Sequence, residues 1–424
     1  MKILIVGGGG REHALAWKLA RSPRAPQLFC APGNAGIAEL ATCVDTAADN
    51  IPALLELVRK QQIDLVVVGP EAALAAGIVD EFTARGIRIF GPTREAAQIE
   101  TSKAFCKNLF RKHNIPTAGY RVFDRLEDAL RYAEKTPHPL VVKADGLAAG
   151  KGVTVCATPE ESAAAIEAAM KDRVFGRAGE RVVLEEFLTG EEASILAVTD
   201  GQTIAILESA QDHKRVNDGD QGPNTGGMGA CSPASVFTEE LASSVSREIF
   251  VPLVHAMKME NRPYRGILYA GLMLTRTGPK VLEVNARFGD PETQPLMVRL
   301  KTDLLDIVEA TIDGKLSRVD LAWHPDPAVC VVAASGGYPG EFSRGHEIRG
   351  TEEAARVPGC QVFHSGTLRK GGSLLTAGGR VLSVTATGAT MAAARDAAYR
   401  GMSCISFDGM HYRRDIGQRA LARP

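Results

Sequence analysis

The sequence predicts a multidomain fold, α/β in its first part and α+β in its last. Three observations carry this. The 424 residues suffice for two to four domains with more than one core. Over the first hundred residues, short β-rich runs alternate with amphipathic segments, the pattern of a parallel sheet with helices on both faces. Beyond Asp326 the stretches AVCVVAASGG, CQVFHSGTL and RVLSVTATG read as strands and Ala389–Arg400 as a helix, a small α+β unit.

Lys2–Val6 reads as a buried strand and Arg11–Arg21 as a helix, with Ala14, Leu15, Trp17 and Leu19 spaced for burial. Between them GGGG lets backbone N–H groups approach an anion at a helix N-terminus. A dinucleotide is the first ligand to consider, but the fingerprint fails. Counting G-x-G-x-x-G from Gly7 puts Glu12 at the third glycine, and counting from Gly8 puts His13 there. No Asp or Glu stands between His13 and Ala38 to hold a ribose. The loop suits a single phosphate; a bare tight turn is the plain alternative.

The βα alternation continues through Leu54–Gln61, Asp64–Val68, Leu74–Arg85 and Ile87–Phe90. In a Rossmann-like parallel sheet ligands lie beyond the carboxyl ends of the strands. Gly7–Glu12, Pro32–Gly36 and Gly69–Glu71 fall there. Glu71 either accepts hydrogen bonds from a sugar or is a helix N-terminal acid favoured by the dipole.

A new unit begins near Gly91. Thr101 or Ser102 caps a helix carrying Lys103 and Lys107. Strand Leu140–Ala144 presents Lys143, and the loop after it holds Gly146, Gly150, Lys151 and Gly152, where the next strand begins. This is no Walker loop, because Gly152 stands where Ser or Thr is required and no helix follows. It reads as a glycine-rich hairpin flap able to close over phosphates. A lysine inside an apolar strand is costly to bury unpaired, which favours Lys143 as a phosphate contact over a structural salt bridge. Thr158–Glu161 has the form of a capping box. Strand Val182–Leu184 runs into a polar hinge flanked by Glu185 and Glu192, either solvated or placed at a ligand.

VLEVNARFGDPETQ concentrates the most chemistry. Strand alternation puts Glu283 and Asn285 on one face, with Leu282 and Val284 pointing into the core. A carboxylate beside an amide oxygen supplies hard ligands that suit Mg²⁺ when phosphates complete its shell. Arg287 and Asp290 follow closely. The segment DHKRVNDGDQGPNTGGMGA is long, polar and glycine-rich, so it is functional or disordered; its lone His213 fits a surface residue.

Charge and composition narrow the partners. Lys+Arg number 49 against 50 Asp+Glu, which gives no global field for nucleic acid or an anionic membrane. Eight cysteines without a C-x-x-C pair or zinc-like clustering read as reduced thiols of a cytoplasmic protein. The apolar run Ile3–Val6 is too short for a signal peptide, and no stretch of ~18 apolar residues predicts a membrane span.

GGGGREHAL, GNAG, GPEA, VVKADGLAAGKGV, EEFLTGEEAS, QDHKRVNDGDQGPNTGGMGA and EVNARFGDPETQ occur in this order. Together they closely resemble the glycinamide ribonucleotide synthetase family of the ATP-grasp superfamily, over essentially the whole chain. The resemblance implies a preATP-grasp N-terminal domain over 1–100. It implies an ATP-grasp core over 101–325, with a mobile lobe about 123–188, and a C-terminal α+β domain over 326–424. It implies a ligase using ATP, glycine and 5-phosphoribosylamine with Mg²⁺ or Mn²⁺, a cytoplasmic monomer without nucleic-acid or membrane partners.

By the same resemblance Lys103, Lys143, Gly150 and Lys151 meet phosphates. Glu185, with the backbone of Phe187 and Leu188, meets adenine, and Glu192 meets the ATP ribose. Glu283 and Asn285 are the metal ligands. Lys143, Arg287 and Asp290 are the catalytic set, the last two also contacting glycine and its acyl phosphate. Gly9, Gly10, Arg11 and Glu12 hold the substrate 5′-phosphate and Glu71 its ribose. Asp212, Lys214, Asn224, Thr225 and Gly226 face substrate from the polar loop. Asn217, Gln221 and Cys231 stand where the family more often has Gly, Thr and Tyr, and Ala73 replaces a common Pro; these departures bear on local loop contacts. Another ATP-grasp carboxylate–amine ligase and a non-catalytic nucleotide sensor are the rival readings.

Overall fold

The computed structural model describes residues 1–24, 26–148 and 151–421; Gly150 of the expected flap lies outside them. Among the described residues no helix is long and apolar enough to cross a membrane.

Residues 2–90 form a five-stranded parallel sheet in the order Thr42–Cys43, Gln27–Pro32, Lys2–Gly7, Leu65–Val68, Arg88–Phe90. Ile3, Leu4, Ile5 and Val6 are fully buried because helices cover both faces, so the strand reads as a continuous apolar run. The strand order reverses between Lys2–Gly7 and Leu65–Val68. The loops leaving those two strands, Gly8–Gly9 and Gly69–Pro70, therefore open the crevice where such sheets hold ligands. The helix expected over Leu74–Arg85 is two, Glu71–Ala76 and Ile78–Thr83, divided at Gly77 with φ +90°. A left-handed glycine ends a helix by turning the chain, and the apolar spacing alone does not register this.

Two antiparallel four-stranded sheets follow. One runs Tyr120–Phe123, Val182–Glu186, Leu140–Ala144, Val153–Cys156. It is backed by helices Leu126–Lys135 and Pro159–Met170, with its own small core of Leu140, Val142, Ile166, Val182 and Leu184. Thr158 caps the second helix, accepting from Glu161 N at 3.3 Å while Glu161 Oε2 accepts from Ala157 N at 2.7 Å. The other sheet runs Ile204–Ile206, Glu191–Thr199, Gly266–Thr275, Gly278–Asn285. The hinge 187–190 joins the two sheets, so they face each other across a cleft.

The last sheet runs Gln211–Asp212, Gly229–Ser232, Ala328–Ala334, Arg380–Thr387, Cys360–His364 and is backed by helix Met391–Cys404. Its first two strands bracket the long polar loop, which is thereby tied to the C-terminal sheet.

Candidate active site

Ser102 caps helix Lys103–Lys112, accepting from Phe105 N at 3.1 Å. Lys103 and Lys107 then lie one turn apart on one face. Lys103 Nζ donates to Gly146 O at 2.9 Å, at the root of the flap. Lys107 Nζ donates to Glu185 Oε2 at 2.8 Å and to Thr117 Oγ1 at 2.7 Å. From the facing strand Lys143 Nζ reaches the same Glu185 oxygen at 3.0 Å and donates to Leu282 O at 3.0 Å. All three are buried: Lys107 3 %, Glu185 2 % and Lys143 7 % exposed. Two ammoniums bracket one carboxylate oxygen, while Glu185 Oε1 is buried without a hydrogen-bond partner among the described residues. An unpaired buried acceptor costs about 1–3 kcal/mol, so it is poised for an N–H donor from a ligand. Ala118, Leu188, Met273 and Leu282 form an apolar patch by the hinge, a surface for a flat ring. Phe187 is 42 % exposed.

Strand Gly278–Asn285 pairs Glu283 with Gly271 and Asn285 with Tyr269, but Val281 with Leu272. A bulge falls between, so Val281 and Val284 enter the core and Leu282 is only half-buried, against the hinge. This corrects the expected alternation, because a bulge inserts one residue and re-aims those that follow. Glu283 and Asn285 remain side by side at the strand end. Glu283 Oε1 lies 3.1 Å from Lys214 Nζ. That charge, with Lys143 and Lys103 nearby, holds the Glu283 carboxyl at about 2 although it is partly shielded from water. A carboxylate held in its ionised form beside an amide oxygen fits a hard divalent cation whose shell is completed by phosphates. Among the described residues no cluster of three or more His, Cys, Asp or Glu forms a self-sufficient metal site.

Beyond this pair the polar path continues. Arg287 Nε lies 3.1 Å from Glu71 Oε2 and its Nη2 3.1 Å from Glu100 Oε1. Burial opposes the Glu71 charge, but Arg287 and then Arg11 hold its carboxyl down at about 2. Arg11 Nη1 donates to Phe288 O at 3.1 Å, and Arg11 Nε to Glu12 Oε1 at 2.6 Å. Glu12 Oε2 in turn accepts from Gly9 N at 2.6 Å. Glu12 is thus turned inward, aiming Arg11 and occupying the Gly9 N–H. Gly10 packs so closely that an added Cβ would lie 2.6 Å from Gln294 Nε2 and 2.7 Å from Ser365 Oγ. Asn34 of the GNAG loop joins the segments, donating to Gly8 O at 2.9 Å and His364 O at 2.8 Å.

The polar loop is ordered by its own backbone. Thr225 N and Oγ1 both donate to Lys214 O at 2.8 Å, and Asn224 pairs with Arg215 across a short hairpin. Asp212, Lys214, Glu192 and Ser194 line one cavity with Gly271 and Leu282. Asp212 Oδ1 is buried without a partner among the described residues. Burial first, then Glu292, pushes its carboxyl well above the ordinary range. Asp290 accepts from Gln294 Nε2 at 2.8 Å and lies 3.2 Å from Arg380 Nη2. Arg380 also donates to Gly226 O at 2.7 Å and to Asp290 O at 2.7 Å. Lys151 is exposed at the flap root.

Lys103, Lys143, Glu185, Leu188, Glu192, Glu283, Asn285, Asp212 and Lys214 therefore share one cleft, and Arg287 and Asp290 link it to the N-terminal crevice. One expectation is corrected. His213 is buried rather than a surface residue, with burial holding its imidazole down at about 4. His364 is also buried, its backbone N–H donating to His13 Nδ1 at 2.8 Å; both sit where the C-terminal sheet closes on neighbouring segments. Residues to which sequence reasoning gave no role are Lys107, Glu100, Glu292 and Arg380. Lys107 had a signal, its helical spacing from Lys103. The other three pair with groups distant in sequence and had none.

Comparison with known proteins agrees along the whole chain. Models of the phosphoribosylglycinamide synthetase N domain, ATP-grasp (A) domain and C domain match residues 1–100, 101–293 and 328–419. Phosphoribosylamine–glycine ligase of Rhodopirellula baltica is 52 % identical over 426 residues, covering 99 % of this chain and 98 % of that protein. A crystal structure of phosphoribosylamine–glycine ligase from Thermotoga maritima is 34 % identical, with TM-score 0.84, over 98 % of this chain and 100 % of that one. Biotin carboxylase from Campylobacter jejuni, solved as a β-γ-ATP complex, has TM-score 0.75 at 13 % identity over 100 % of this chain and 95 % of that one, a likeness of fold alone.

Proposed function

The chain belongs to the phosphoribosylglycinamide synthetase family, and on that premise we infer that it is a phosphoribosylamine–glycine ligase. It joins glycine to 5-phosphoribosylamine at the expense of ATP, giving glycinamide ribonucleotide, ADP and phosphate in purine biosynthesis. The observation that supports the assignment of residues is the succession of ion pairs Lys143–Glu185, Lys214–Glu283 and Arg287–Glu71, running from the hinge toward the glycine loop. It matches three ligands laid end to end.

A carboxylate oxygen of glycine attacks the γ-phosphorus of ATP, the bond to the β-phosphate oxygen breaks, and ADP leaves. The amine nitrogen of phosphoribosylamine then attacks the carbonyl carbon of glycyl phosphate. Phosphate departs and the nitrogen loses a proton. Glu185 Oε1 and the backbone of Phe187 and Leu188 orient adenine, and Glu192 its ribose. Lys103, Lys143 and the flap with Gly150 and Lys151 disperse phosphoryl charge. The reaction uses a divalent cation, Mg²⁺ or Mn²⁺ in our assignment. Glu283 and Asn285 would hold it, and there it would neutralise the phosphate charge. Arg287 steadies the glycine carboxylate and its acyl phosphate, with Asp290 beside it. Asp212, Lys214, Asn224, Thr225 and Gly226 wall this part of the cleft. Arg11 and the Gly9–Gly10 backbone hold the 5′-phosphate, Glu12 fixes Arg11, and Glu71 takes the ribose. Closure of the flap excludes water from the acyl phosphate.

We divide the chain into 1–100, 101–325 and 326–424, and take it to act as a cytoplasmic monomer on small molecules. The near-zero net charge supports a role without nucleic acid or membrane. The test is phosphate release from ATP with glycine alone and with glycine plus phosphoribosylamine. Steady turnover is expected only with both; steady release independent of phosphoribosylamine, or none with both, defeats the reading.

A further inference from the structure

The side chain that meets the Glu283 carboxylate is itself a cation. Lys214 Nζ stands 3.1 Å from Glu283 Oε1, one of the two oxygens this carboxylate offers a divalent ion. Both side chains are only part-exposed, 30 % and 37 %, so the contact is neither open to bulk water nor sealed from it. Around Glu185 and Glu283, three ammoniums, Lys107, Lys143 and Lys214, pair with the two carboxylates, and Glu192 and Asp212 line the cavity beside Lys214. A bare dication approaching Glu283 meets an ammonium already paired with it. A dication carried on nucleotide phosphates is opposed less, because the phosphates offset its charge.

The geometry also gives the lysine somewhere to go. Its backbone is fixed, since Lys214 O accepts from both Thr225 N and Thr225 Oγ1 at 2.8 Å. Its four-carbon stem is flexible. Asp212 lines the same cavity, and its Oδ1 is a buried acceptor without a partner among the described residues.

We propose that Lys214 is a built-in counter-ion of the metal site, displaced from Glu283 toward Asp212 when metal arrives, so that the site takes metal with nucleotide and resists metal alone. The proposal rests on the assignment of Glu283 and Asn285 as metal ligands. It makes Lys214 a positioning residue that couples metal and nucleotide binding. Removing its charge should strengthen binding of free metal and shrink the gain that nucleotide brings.

Mn²⁺ titrated into the full-length protein, with free Mn²⁺ read by electron paramagnetic resonance, tests this. Without nucleotide, Lys214→Met is expected to bind Mn²⁺ roughly tenfold tighter than the unaltered protein. With ADP present the two should converge, so the ADP-induced tightening is smaller in the variant. Lys214→Gln, which keeps a polar head, serves if the methionine variant fails to fold, and thermal midpoints check folding for both. Unchanged or weaker binding of free Mn²⁺ in a folded variant overturns the proposal. Glu283→Gln separates the two claims. If it leaves Mn²⁺–ADP binding intact, the metal-ligand assignment itself has failed; if it weakens that binding while Lys214→Met changes nothing, only the counter-ion role has.

Discussion

Glu185 gathers the nucleotide end of the cleft at a single carboxylate, with Lys107 and Lys143 on one oxygen. Breaking a buried pair by removing one partner costs about 3–5 kcal/mol, because the other charge is left uncompensated. Lys107→Met leaves Glu185 with Lys143 as its remaining partner, so it should lower stability by less, about 1.5–3 kcal/mol, read by denaturant unfolding, and weaken ADP binding at least tenfold by calorimetry. ADP affinity within twofold of normal would leave Lys107 a purely structural residue. Glu71 invites a different expectation. Losing hydrogen bonds to a charged acceptor costs about 1.5–3 kcal/mol, roughly tenfold or more in affinity. Glu71→Ala should raise the Michaelis constant for phosphoribosylamine by that factor. Because Glu71 also neutralises Arg287 at 3.1 Å, the constant for glycine should rise too, while ADP affinity stays near normal. A fall in ADP affinity instead would put the nucleotide in the N-terminal crevice.

At the scale of elements, the strand pair Gly266–Thr275 and Gly278–Asn285 sets the proposed metal ligands by a bulge and a glycine. A Cβ on Gly271 would lie 3.1 Å from Glu283 Cγ, tighter than an ordinary contact, so Glu283 must yield by a few tenths of an ångström. Gly271→Ala is expected to weaken Mn²⁺–ADP binding several-fold with little change in thermal midpoint; unaltered binding would show that Glu283 has slack. The flap is an element of another kind. Its strands Leu140–Ala144 and Val153–Cys156 are firmly paired, while Lys151 at its root is exposed. A loop that acts by closing after nucleotide binds affects turnover first. Lys151→Ala should lower kcat more than ADP affinity, and equal losses would make the loop a static wall.

The whole molecule is held together partly by buried, neutral histidines. His13 accepts the His364 N–H on Nδ1, so that nitrogen must stay unprotonated; burial and the His364 ring hold its imidazole down at about 3, and burial holds His364 at about 4. Phe363 packs edge-on against both His13 and Trp17, which donates to Gln361 at 2.8 Å. An unfolded histidine takes up a proton below about pH 6.5 and these folded ones do not until near pH 4 or 3. The unfolded state thus binds more protons across that window, and stability falls as pH drops from 6.5 toward 4. At pH 5.5 each group should contribute about 1 kcal/mol of destabilisation relative to pH 7.5. His13→Gln, which keeps an acceptor for the His364 N–H, should flatten that dependence in thermal midpoints taken at constant ionic strength. An unchanged slope would locate the acid sensitivity elsewhere.

What the sequence determined by itself was whatever is written in short windows. The failed dinucleotide fingerprint, the lysine inside LVVKA before a glycine flap, the Ser102 cap and the adjacency of Glu283 and Asn285 rest on turn chemistry, helical spacing and strand alternation, which act over a few residues. The parallel sheet with its ligand rim followed from the same periodicities. Tertiary structure decided what depends on partners brought from afar. Lys107 meets Glu185 across 78 positions, Arg380 meets Gly226 across 154, and His13 meets His364 across 351. It also decided where periodicity breaks: Gly77 splits an expected helix, and the bulge at Leu282 turns that side chain from the core toward the hinge. Local propensity is a property of the chain, whereas burial, charge pairing and register are settled only when distant segments compete for the same space and the same hydrogen bonds.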